Sequence, residues 1–391
     1  MVAISKPLFY ELVQKKPLDC DLIHLWTSDC KRASFFSKYL VWNIALGSAK
    51  FFLPVYIMKL LLTFKGKDKK ILVRNFLVSE VRSIIYGIFM ACLIICSICF
   101  FRKVLGKINY HTLLFVPGMV SGLSLLVESR ENQILDTLIF FNAVIETLLR
   151  KININEKWNT LIFASISGLL MHIMANRRKK IDFTYFWIYT PPNMNDYEKS
   201  DSCCSHDNTC PIYLSEGFLK YFSLGYAVNA IKSILPRIGN LVKKPSSLMK
   251  IFFSKSNLYL GLFIGSYVGF YRILTCYLTR TSKIKKKFHG FIAGLFSGIT
   301  YSISPNIQIV AIAMSTLLQL IHSNIAEYFN ITNHFWQRHL LFVLCSGYLL
   351  QEKFFSPETC SPYYKKMIDA CTNNVTQDIY KALIHRFFGT S

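Results

Sequence analysis

Apolar runs broken by short basic stretches account for most of this chain. Ser83 to Phe101 carries no charge and lies between Arg82 and the Arg102-Lys103 pair, the length and flanks of a helix that crosses a bilayer. Tyr110 to Val127, Trp158 to Ala175, Asn257 to Leu278, Phe288 to Ile303 and Ile307 to Ile321 read the same way. Three further runs carry charges inside them. Phe35 to Leu62 holds Lys38, Lys50, Lys59 and Pro54; Ile134 to Leu149 holds Asp136 and Glu146; Ile212 to Leu235 holds Glu216, Lys220 and Lys232. His339 to Leu350 is a last, shorter run. Beyond it Ile368, Cys371, Val375, Ile379, Leu383 and Phe387 recur every three or four residues among Lys365, Lys366, Lys381 and Arg386. That stripe predicts an amphipathic helix, lying at a membrane interface or docked on the protein itself.

Within two consecutive runs glycine recurs every fourth residue: Gly261, Gly265, Gly269, then Gly290, Gly294, Gly298. Residues four apart share a helix face, so each ladder is a strip without side chains that lets another helix approach closely. Two tandem triples predict helix packing, with an oligomer through the glycine faces as one use of them. The two halves of the chain also look alike. Pro117-Gly118-Met119-Val120-Ser121-Gly122-Leu123-Ser124 matches Ala293-Gly294-Leu295-Phe296-Ser297-Gly298-Ile299-Thr300, and Phe100-Phe101-Arg102 matches Phe270-Tyr271-Arg272. In the first half Gly118 and Gly122 are what remains of a ladder. The expectation is an all-α, multi-pass integral membrane protein with an internal duplication of a Gly-x-x-x-Gly helical unit. Its divisions are a polar Cys/His segment over 1–34, a first helical repeat over 35–150 and a connecting helix over 151–180. A polar Cys/His linker over 181–211, a second repeat over 212–322 and a C-terminal run with its amphipathic tail over 323–391 complete it.

Composition changes the picture in one respect. Only 17% of the 391 residues are charged, against 52% hydrophobic, which is a membrane composition rather than that of a soluble domain. The net charge of +23 would suit nucleic acid, but the cations border apolar runs (Lys67, Lys69, Lys70, Arg177 to Lys180, Lys285 to Lys287), where they meet lipid headgroups. No RNA-binding aromatic motif or zinc-finger spacing supports a nucleic-acid partner. The first sixteen residues lack the apolar core and cleavage site of a secretory signal. The basic loops after Arg102 and Arg280 favour the same membrane side, which requires that one intervening run, Ile134 to Leu149 or Ile212 to Leu235, does not cross fully.

Candidate chemistry is sparse. Cys203, Cys204, His206 and Cys210 form the densest ligand cluster, and Cys20, His24 and Cys30 offer three more donors. Thiolate and imidazole suit a structural zinc, while free thiols and a disulfide stay open as alternatives. Asp136, Glu146, Glu216, Lys220 and Arg272 are charges within apolar runs and candidates for a substrate path. No P-loop, dinucleotide fingerprint, nucleophile elbow or His-Glu-x-x-His is present, so the reading is non-enzymatic.

Cys203-Cys204-x-His206 through Cys210, Gly217-Phe218-Leu219, Phe222-Ser223-Leu224-Gly225-Tyr226 and Lys244-Pro245-Ser246 resemble the transmembrane protein 135 family, also called peroxisomal membrane protein 52. Leu260-Gly261-x-Phe263-Ile264-Gly265-Ser266 and His289-Gly290-Phe291-Ile292-Ala293-Gly294 continue the likeness, which covers roughly Cys20 to Ile321. The Gly-x-x-x-Gly helices are distantly similar to the Tim17/Tim22/Tim23 group. The resemblance implies a protein of mitochondrial and peroxisomal membranes, linked to mitochondrial dynamics, fission and fatty-acid handling, with partners in the organelle fission machinery. It carries over no catalytic residue. The alternative is a transporter or translocase-like channel for a lipid-related metabolite.

Overall fold

A computed structural model describes residues 3–16, 18–30, 33, 37–63, 69–177, 187–192, 206, 209–234, 246–282, 284–329 and 334–389. Among them the chain is all-helical, with α1 Lys6–Lys15, α2 Lys38–Thr63, α3 Lys69–Leu105, α4 Tyr110–Leu113, α5 Phe115–Ser121, α6 Arg130–Ile152, α7 Glu156–Ala175 and α8 Cys210–Ile234. Then follow α9 Ser246–Phe252, α10 Lys255–Thr281, α11 His289–Gly298, α12 Ile307–Tyr328, α13 His334–Phe355, α14 Pro362–Cys371 and α15 Val375–Phe388. Five segments are long and apolar enough to cross a membrane: Lys70–Leu105, Tyr110–Val127, Glu156–Ala175, Met249–Thr281 and Ile307–Tyr328. The three charge-bearing helices α2, α6 and α8 are not among these five, and neither is the run Phe288 to Ile303, whose helix α11 is too short.

The chain divides into two compact units, residues 1–151 with 332–391, and residues 152–331. This division differs from the one read along the sequence: α7, from the expected connecting segment, falls in unit 2, and residues from Thr332 onward fall in unit 1. Apolar runs mark which residues need burial, but burial can be supplied by any part of the chain.

In unit 1, α2 packs along α3, and α5 lies between α3 and α13. Gly118 sets the distance to α13: a Cβ there would sit 2.8 Å from the Gly347 Cα and 3.1 Å from the Ser346 carbonyl oxygen. One turn on, a Cβ at Gly122 would meet the Val343 Cα at 2.8 Å. After Ser121 the helix tightens into a 3₁₀ segment, Gly122–Val127. The N-terminal strap is tied down by Ile4, whose N–H donates to the Phe355 carbonyl at 2.7 Å, and by Phe9, buried among Tyr110, Phe355 and Phe387.

Unit 2 packs α8 along α10, and α11 against both α7 and α10. The first glycine ladder receives aromatic knobs, since Cβ atoms at Gly261 and Gly265 would crowd Phe222 and Phe218 and their carbonyls at 3.0–3.3 Å. Gly269 is looser, with Phe218 at 3.6 Å. The second ladder faces helix backbone: Gly290 meets the Met171 carbonyl at 3.0 Å, Gly294 the Ser167 carbonyl at 2.7 Å and Gly298 the Ala164 Cα at 2.5 Å. Ser167 Oγ donates to the Gly294 carbonyl and shares a 2.7 Å hydrogen bond with the Tyr267 hydroxyl. α11 likewise passes into a 3₁₀ segment, Ile299–Ile303. Every ladder face is thus covered within the chain. An oligomer through these glycines would have to displace α7 or α8, because a close-packed strip accommodates one neighbour only.

Candidate functional site

The site begins with the amphipathic stripe of the C-terminus. α14 and α15 dock on unit 1 itself, joined by a turn in which Asn373 and Asn374 hold left-handed φ values of 47° and 69°, a conformation asparagine tolerates better than most residues. Asn373 Nδ2 donates to Asn43 Oδ1 at 2.8 Å, and the bare Gly47 lets the end of α14 close onto α2, where a Cβ would sit 2.5 Å from the Cys371 carbonyl. The apolar stripe therefore faces inward. Met367, Ile368, Cys371, Val375, Ile379 and Leu383 roof a cavity of ≈ 140 Å³ whose floor is α2, α3 and α6.

Its lining is almost wholly apolar, and its polar side chains are mainly hydroxyls and one carboxyl. Tyr86 and Tyr364 line it with buried hydroxyls that make no hydrogen bond among the described residues. Asp136 lines it too, and burial, with a smaller push from Glu128, holds its carboxyl well above the usual carboxylate range. A neutral carboxylic acid donates a hydrogen bond without bringing a charge into an apolar space. Beside it runs a satisfied polar network. Ser83 Oγ donates to Glu128 Oε1 at 2.5 Å, Asn132 Nδ2 reaches Glu128 Oε2 at 3.0 Å and the Tyr56 hydroxyl at 2.9 Å, and Tyr56 and Ser83 share 2.7 Å. At this size the cavity resembles the dry apolar cavities that take up a single ring. Its volume is enough for one ring or the end of one hydrocarbon chain, and Asp136 and the tyrosine hydroxyls are the polar groups that line it.

The other charges read from the sequence do not gather here. Glu146 accepts Arg150 at 2.8 Å and the Ser361 hydroxyl at 2.6 Å, fastening the start of α14. Glu216 and Lys220 lie on the exposed face of α8. Arg272 lies in unit 2, donating to the Tyr213 carbonyl at 2.6 Å over the Tyr213 ring, in the space left by Gly217. Of the five, Asp136 alone lines the cavity; the others are held by local partners or face outward.

Two Cys/His clusters could hold a metal ion. Cys20, His24, Cys30 and Cys99 form one and His206, Cys210 and Cys276 the other, each with all its donor atoms within 4.8 Å of one another. Cys203 and Cys204 lie outside the described residues. Cys99 and Cys276 were missed from the sequence because a cysteine in an apolar run reads as a small hydrophobe. The signal available was an arginine close behind each, Arg102 and Arg280. Arg272, which the sequence aligns with Arg102, has no place beside the unit 2 thiols. The arginine beside the unit 2 thiols is Arg280, whose Nη2 lies 3.1 Å from Cys210 Sγ, whereas Arg272 packs against Tyr213.

No family model matches the chain, and no solved structure matches it.

Proposed function

We propose that the chain is a multi-pass membrane protein of mitochondria and peroxisomes, built from two copies of one helical unit. It takes a lipid chain end into the unit 1 cavity and regulates mitochondrial dynamics, including fission, and peroxisomal and mitochondrial lipid metabolism. The organelle and process rest on the sequence resemblance. The observation that carries the lipid reading is the cavity, predominantly apolar and roofed by an amphipathic hairpin.

The membrane reading is supported by the five apolar segments and by the outward face of α3, where Ile71, Leu77, Val78, Val81, Ile85 and Phe89 are all exposed. Exposed apolar residues continuous over several turns suit lipid rather than water. The duplication is supported by equivalent contacts inside each unit. Gly118 and Gly122 meet Ser346-Gly347 and Val343 as Gly294 and Gly298 meet Ser167 and Ala164. The partner helices themselves share Phe-x-x-x-Ser-Gly, at Phe163 to Gly168 and Phe342 to Gly347. In this reading α7 and α13 are equivalent fifth helices, contributed from opposite ends of their units.

A lipid with a photoreactive group at its chain end, offered in proteoliposomes, should label α14 and α15. Filling the cavity with Ala91→Phe should cut that labelling about tenfold, equivalent to about 1.4 kcal/mol of binding. Unchanged labelling would remove the cavity as the site. Asp136→Asn should keep labelling near wild type, because burial favours the neutral form of the carboxyl and the amide is a neutral donor too, while Asp136→Lys should abolish it. Loss of labelling in the asparagine variant would mean the carboxyl acts as an anion. Cells carrying Ala91→Phe should show altered mitochondrial length, and unaltered mitochondria would separate lipid binding from fission.

A further inference from the structure

We propose that Cys20, His24, Cys30 and Cys99 are the four ligands of a structural zinc ion that fastens the N-terminal segment of unit 1 to the end of α3. The donor set is three thiols and one imidazole, a common composition for closed tetrahedral zinc sites. Bonds of about 2.3 Å to sulfur and 2.0–2.1 Å to nitrogen place tetrahedral donors roughly 3.5–3.8 Å apart. The four atoms all lie within 4.8 Å of one another, and His24 Nε2 is 3.4 Å from Cys30 Sγ. A disulfide could use only two of these three sulfurs and would leave the histidine without a role.

The surroundings are those of a ligand set. His24 is fully buried, and its Nδ1 bonds the Thr27 carbonyl, which makes Nδ1 the protonated nitrogen and leaves the Nε2 lone pair aimed at the thiols. Zinc-bound histidines are oriented in this way by a second partner. Three thiolates and one zinc ion carry a net negative charge, and Arg102, one turn beyond Cys99, hydrogen-bonds Cys20 and pairs with Asp19 at 2.5 Å. Unit 2 repeats the plan. His206 Nε2 lies 3.3 Å from Cys210 Sγ and 3.5 Å from Cys276 Sγ, with Arg280 beside Cys210. Chance clustering of thiols would not place a histidine, a helix cysteine and a following arginine together in both units.

The ion has a structural task. Between Cys20 and His24 lies Ile23, which is buried and lines the cavity. The described residues around it carry little regular structure beyond the short 3₁₀ turn Cys20–Leu22, so ligation ties this wall to α3.

The test is metal analysis of the full chain purified without a metal-affinity step. Cys99→Ala should lower zinc content by one equivalent per chain, while Cys96→Ala, on the same helix but outside the cluster, should leave it unchanged. Because Cys99→Ala could fail to fold, Cys30→His provides a second arm at the most exposed ligand. It should keep its zinc, and in the cobalt-substituted protein the thiolate charge-transfer band of this site should fall by about a third. Cys30 should resist alkylation until a chelator is added. Rapid alkylation without chelator would mean free thiols, and alkylation that needs only a reductant would mean a disulfide. Either result, or zinc content unmoved by Cys99→Ala, overturns the proposal.

Discussion

Asp369→Ala should destabilise unit 1 by about 3–5 kcal/mol, the cost of stranding a buried charge. Lys353, on the last turns of α13, is 6% exposed, and its ammonium is paired with the Asp369 carboxylate of α14. Its other hydrogen bond among the described residues is to the Lys365 carbonyl at 3.5 Å, too long to replace the ion pair. Asp369 also accepts the Thr376 hydroxyl at 2.8 Å, so the substitution loosens the start of α15 as well. The double variant Lys353→Met/Asp369→Leu should recover most of the loss, because two packed apolar side chains replace a desolvated pair at little or no net cost. Denaturant unfolding of the purified chain in detergent, followed by helical circular dichroism, measures both. A single variant as stable as wild type would mean that Lys353 finds water or another partner, and that the roof of the cavity is not anchored there.

Gly298→Ala should cost about 3 kcal/mol, at the upper end of overpacking penalties, whereas Gly269→Ala should be nearly neutral. The same added methyl meets different neighbours at the two positions. At Gly298 it would lie 2.5 Å from the Ala164 Cα, a backbone atom that yields only if α7 and α11 separate. Separation lengthens the Ser167 hydroxyl contact to the Gly294 carbonyl and disturbs the stacked Phe163 and Tyr301 rings, whose centroids are 4.8 Å apart. At Gly269 the nearest atom is a Phe218 ring carbon at 3.6 Å, an ordinary contact. In lipid, where apolar burial does not hold helices together, close contact is a main source of affinity, so the difference should survive reconstitution. Thermal aggregation of the two variants in the same detergent separates them, and equal midpoints would refute the close-packing account.

The local part of this architecture was legible from residue order. A span announces itself by a run of apolar residues, and a bare helix face by glycines four apart, because both depend only on the helix's own periodicity. The amphipathic stripe from Ile368 to Phe387 was equally plain, but not what it lies against. Two docking modes satisfy one stripe, and Gly47, far away in sequence, admits the hairpin onto α2. The metal-ligand candidates were half visible. Cys20, His24 and Cys30 stand in polar surroundings that mark them, whereas Cys99 and Cys276 are hidden in apolar helices. The charges Glu146 and Arg272 looked like a path because sequence shows a charge's cost but not its partner.

What the sequence alone determined, then, is helicity, the apolar segments and the faces on which helices approach closely. These follow from the period of one helix and from side-chain size. Only the tertiary structure decided that α13 completes unit 1 and α7 unit 2, that the C-terminal hairpin roofs a cavity, and that helix cysteines join the loop ligands. Each is a pairing between residues distant in the chain. Such pairings are set by shape complementarity and by donors converging in space, and neither leaves a periodic mark on either partner.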